Sequence, residues 1–171
     1  MARLPVSAQP ARPASSQGAS SSLKLGVDIR QLAVRRINVG APIAGQAASF
    51  SVSGHGRISS IDPVLNGLSL PSLPQSDIAL DVRRLDRAGQ IALVTATDKG
   101  ALVLHLDAGE GADGFLASRL NMPQLAPLAL RVDIKGAIAA SALDFSASAG
   151  RITAHAAGLL DLPASSLTRL D

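Results

Sequence analysis

The sequence predicts a mainly β protein of antiparallel strands, interrupted by one short helix at about residues 113–121. Three observations carry this. Apolar and polar residues alternate in the same phase through several runs between residues 77 and 147. Pairs and triplets rich in Gly, Asp and Lys punctuate those runs at short intervals, as hairpin turns require. One segment, residues 110–123, changes period.

In the first run Ile78, Leu80 and Val82 alternate with Asp77, Asp81 and Arg83, so one side of the strand is oily and the other wet. The phase recurs where Leu102, Leu104 and Leu106 alternate with Val103, His105 and Asp107. It returns where Leu128, Leu130, Val132 and Ile134 alternate with Ala129, Arg131, Asp133 and Lys135. Those ten aliphatic residues are the candidate site, a single apolar surface. Between the runs, Phe115, Leu116, Arg119 and Leu120 fall at helical spacing, with Asp113 as N-cap and Pro123 as stop. The unit reads hairpin, short helix, hairpin.

Residues 1–22 hold Ala, Ser and Pro without an acid and read as a disordered leader. They lack the apolar run of a secretory signal, and no stretch of the chain has the roughly 18 consecutive apolar residues of a membrane-spanning helix. Residues 23–157 form the β-groove segment. Its first strand runs through Val27, Ile29, Leu32, Val34, Ile37 and Val39, and its phase slips twice, which predicts a bulge or bend near Gln31 and Arg36. Alternation resumes through Phe50, Val52 and Ile58, although Gly54 and Gly56 weaken the middle, and residues 62–75 read as a Leu- and Pro-rich loop. Ala88-Gly89, Asp98-Lys99-Gly100 and Ala149-Gly150 supply turns. A further strand places Leu143, Phe145 and Ala147 on one face, and another Ile152, Ala154 and Ala156. Residues 158–171 read as the start of a further repeat or a frayed tail.

The 171 residues suffice for one domain, and 47% apolar content excludes a wholly disordered chain. Three Phe with no Trp or Tyr argue against a nucleic-acid binder that works by stacking. The net charge of +3 is uneven, because residues 1–36 hold Arg3, Arg12, Lys24, Arg30, Arg35 and Arg36 against Asp28 alone. The absence of cysteine excludes disulfides and thiolate metal sites.

Gly109, Gly111 and Gly114 spell the G-x-G-x-x-G dinucleotide fingerprint, with Asp133 about 20 residues on. Glu110 and Asp113 would set negative charge beside a pyrophosphate, the insert is too short for a crossover helix, and the flanking strands are wet on one face. His55, His105 and His155 lie on separate strands without metal-ligand spacing, and no nucleophile elbow occurs. The expectation is therefore a non-enzyme with no catalytic, cofactor or metal residues.

In order and spacing, the strings LAVRRINVGAPIAGQAASFSVSGHGRI, DIALDVRRLDRAGQIALV, EGADGFLASRLNMP and LALRVDIKG resemble a portion of the TamB family, the inner-membrane subunit of the translocation and assembly module. The most specific piece is residues 110–123, with Glu110, Gly114, Leu116, Leu120 and Pro123. The chain departs from the family in its long loop at 62–75, in a turn at 136–141 without acidic or Trp residues, and in residues 1–22. The resemblance implies a long periplasmic β structure, an antiparallel curled sheet with an open, β-taco-like groove whose lipid-facing surface is those ten aliphatic residues, attached to the inner membrane through a region outside this chain. It also implies work in outer-membrane protein assembly and protein secretion with an outer-membrane barrel partner, and transport of phospholipid between the membranes by contact with acyl chains. Read from the residues alone, a closed β-sandwich binding or scaffold domain stands as the alternative, since such a face can also pack on itself.

Overall fold

The structure is a computed structural model and describes residues 25–41, 47–61, 74–111, 114 and 127–170. Its strands are β1 (Val27–Val39), β2 (Ala48–Ile58), β3 (Ser76–Arg84), β4 (Gly89–Asp98), β5 (Ala101–Glu110), β6 (Leu128–Ala137), β7 (Ala140–Ala149), β8 (Ile152–Asp161) and β9 (Ser166–Leu170). They form one antiparallel sheet in sequence order, an unclosed meander with β1 and β9 at its two edges. The nine strands make a single layer, so the closed sandwich is not formed by the described residues. Most of the helix expected at 113–121 lies outside them.

Register converts alternation into a face. From β2 to β8 the strands pair without a slip, so Leu80, Leu93, Leu106, Val132 and Phe145 stand opposite one another across five successive strands. Such cross-strand pairs, with the backbone ladder, are the main source of cohesion in a sheet of one layer. Among the described apolar residues only Ala48, Leu102 and Ile138 are buried.

β1 shows how a chain with a slipping pattern keeps its face. Ile29 and Leu32 pair with Gly56 and Gly54, and Val34 and Ile37 with Val52 and Phe50. Each interval is one residue longer in β1 than in β2, which makes two bulges at the expected places. The bulges absorb the slips, and all six aliphatic residues of the strand remain on the inner face.

The turns match their chemistry. Lys99 and Gly100 both have positive φ, 47° and 79°, as a two-residue type I′ hairpin demands. Gly136, at the end of β6, takes a φ of 139°, and the hairpin turns two residues later, at Ile138 and Ala139. Successive turns at this end are zipped together, the Ile138 N–H donating to the Gly100 carbonyl (2.9 Å) and the Leu162 N–H to the Ile138 carbonyl (3.1 Å). β8 continues to Asp161, beyond the stretch read from the sequence, and pairs with β9.

Candidate functional site

The ten candidate residues all share the concave face. Ile78, Leu80 and Val82 stand on β3, Leu102, Leu104 and Leu106 on β5, and Leu128, Leu130, Val132 and Ile134 on β6, joined through β4 by unbroken register. Leu102 is the most enclosed, at 8% exposure. The sheet curls enough that side chains from β2 through β7 share one hollow of about 440 Å³, open to solvent. Val82, Leu128 and Leu130 line it, together with Phe50 and Ile91. Small residues make the space, because Ala108 and Ala147 stand where one adjacent row carries Leu106 and Phe145. The other seven candidate residues continue the same surface away from the hollow.

Phe50, Ile91, Leu93 and Phe145 join this face although the sequence alone does not single them out. In β4 the inner Ile91 and Leu93 alternate with the outer Ala92 and Val94, so neither side looks wet. Pairing with β5 assigns the faces.

Two charged residues, Arg84 and Glu110, lie on the inner face at the margin of the hollow. Arg84 follows Val82 in phase, and its side chain is only 3% exposed at the margin of the hollow. A buried guanidinium needs a partner. It finds one two residues on, where Nε donates to Asp86 Oδ1 (3.1 Å) and Nη2 to Oδ2 (3.0 Å). The Ser49 N–H also donates to Asp86 Oδ1 (3.1 Å). Those bonds, the one from Arg84 first, lower the Asp86 carboxyl to about 2. Gly89 lies between Arg84 and Glu110 in register and leaves room for the arginine stem, which a Cβ at Gly89 would touch at 3.3 Å. The opposite end of the inner face is also polar: the Thr97 hydroxyl donates to the Pro74 carbonyl, so Ser76 Oγ donates to Thr97 Oγ1 (2.8 Å).

The convex face is an ion-paired surface. Arg131 donates to Asp107 Oδ2 (2.9 Å), His105 Nδ1 lies 2.6 Å from Asp133 Oδ1, and His155 Nε2 lies 3.4 Å from Asp144 Oδ2. Asp133 and Asp144 face each other across β6 and β7. His105, Asp133 and Asp144 thus share one lateral row, and His155, opposite Ser146 in the next row, reaches Asp144 diagonally. Among the described residues no group of three or more potential ligands is arranged to hold a metal ion.

The glycine motif has a different setting from the dinucleotide fingerprint. Gly109 is inside β5, and β6 returns antiparallel beside it, with Leu128 opposite Glu110, where a dinucleotide fold requires a parallel strand. No described helix is long and apolar enough to cross a membrane. The chain matches no protein-family model, no curated protein and no solved structure.

Proposed function

We propose that the chain is a lipid-handling segment of a cell-envelope protein of the translocation and assembly module type, holding phospholipid acyl chains against its concave face. The observation that carries this is a continuous aliphatic surface, on a curled sheet of one layer, leading to a hollow within the size range of small-molecule sites, about 300–1,000 Å³. In water such a surface is costly, at about 25 cal/mol per Å² of apolar area left uncovered. An acyl chain covers it without needing directional bonds. Ten-residue strands, about 33 Å long, make the face wide enough for a whole lipid tail, which spans about half of a bilayer core of roughly 30 Å. In this reading the segment works in the periplasm, attached to the inner membrane through a region outside this chain. Its outer-membrane partner is a barrel of the assembly type, and its process is outer-membrane protein assembly and protein secretion. It uses no nucleic acid, cofactor or catalytic residue.

The test is site-specific photocrosslinking. A photoreactive residue at Leu106 or Leu130 is expected to capture phospholipid, and one at Arg131 or Lys135 to capture none. Capture at the two convex positions with none at the concave pair overturns the proposal.

A further inference from the structure

The edge strand β1 differs from the eight that follow it. Every described residue of β1 except Val39 is exposed, including Val27, Ile29, Leu32, Val34 and Ile37, which are 36–47% exposed. Its other side carries Arg30 in the first bulge, opposite His55, and Arg35 and Arg36 in the second, opposite Ser51. Among the described residues these three arginines have neither an ion pair nor a hydrogen bond. The one acid of the strand, Asp28, is held by Arg57 at 3.2 Å. β1 is therefore an amphipathic strand with aliphatic residues on one side and three uncompensated cations on the other, spread over about 20 Å.

Its two bulges decide what kind of partner fits. A strand added to this edge, from a second copy or another polypeptide, would have to hold its ladder past two inserted residues within thirteen. Bulges on an edge strand are a device that prevents such pairing. Nucleic acid would satisfy the arginines but leave the aliphatic row in water. A bilayer interface accepts both, since aliphatic side chains enter the acyl boundary while arginine stems snorkel to the phosphates.

We propose that β1 is a docking edge for an anionic phospholipid bilayer, with Arg30, Arg35 and Arg36 on the headgroups and Ile29, Val34 and Ile37 in the acyl boundary. The docking stands apart from the groove. Its consequence for transfer rests on the groove reading: Val34, Val52 and Val82 lie in one row, so docking brings the bilayer to the margin of the hollow.

The experiment is co-flotation of the full chain with phosphatidylcholine vesicles, with or without phosphatidylglycerol. Binding is expected only to the anionic vesicles and is expected to weaken as salt rises. The triple variant R30Q/R35Q/R36Q is expected to lower the partition coefficient on the order of a hundredfold, from about 1 kcal/mol per arginine near an anionic surface. The matched variant K99Q/K135Q/R151Q removes the same charge elsewhere and is expected to float like the unsubstituted chain. Equal losses in the two variants overturn the proposal, as does a leader variant, R3Q/R12Q/K24Q, that alone abolishes flotation. Flotation that survives while photocrosslinks at Leu106 and Leu130 capture no lipid removes the groove and leaves the docking edge standing.

Discussion

Gly54 and Gly56 sit two residues apart on the same face of β2 and offer a paired test of the sheet geometry. A methyl group on Gly54 would run into the Ala79 carbonyl oxygen and lie 3.2 Å from Leu80 Cα, all of it backbone of β3. Backbone in a ladder cannot rotate away. The strands must part by roughly an ångström, enough to take two flanking ladder bonds out of hydrogen-bond range. At about 1 kcal/mol net per bond, Gly54→Ala is expected to cost about 2 kcal/mol. At Gly56 the nearest atom is Ile78 Cγ1, at an ordinary 3.8 Å. Gly56→Ala is therefore expected to gain about 0.4–1 kcal/mol by restricting the unfolded chain. In a chain of this length the melting temperature should fall by roughly 4–8 °C in the first variant and rise by roughly 1–4 °C in the second. Thermal and urea unfolding of both variants, followed by far-UV circular dichroism, measures the difference. A Gly54→Ala chain as stable as its Gly56→Ala counterpart would refute the close approach of β2 to β3.

The Arg84–Asp86 clamp makes a prediction in acid. Because the folded carboxyl is lowered to about 2, its contribution is complete above the unfolded value of about 3.9 and is lost as pH falls from there toward 2. Melting temperature should therefore drop more steeply over that window than in Asp86→Asn, and parallel pH profiles would count against the clamp. At the β4–β5 turn, Lys99→Asn is expected to stabilise by about 0.5–1 kcal/mol because asparagine tolerates positive φ. Gly100→Ala should cost about 1 kcal/mol although nothing lies within 4 Å, so a neutral result would argue against the type I′ turn.

The sequence by itself determined the class of the fold, the shared face of the ten candidate residues and the places where β1 departs from alternation. The physical reason is that side chains in a strand repeat every two residues, so phase is a local property that hairpin turns carry from one strand to the next. The slips at Gln31 and Arg36 were legible for the same reason, since an inserted residue shifts the phase by one. That those bulges blunt the edge, where the sequence had shown only scattered charge, appeared once β1 was placed outermost. Tertiary structure alone decided the curl and the position of the hollow, because these depend on which side chains face each other at one level of six strands. It also decided that Arg84, in an apolar phase, is held by Asp86, whose carboxylate also accepts from the Ser49 N–H, and that His105, Asp133 and Asp144 form one row that His155 reaches from the next. Apart from the Arg84–Asp86 pair, such contacts join residues well separated in the chain, and register, which is set by every turn between them, has no local signature.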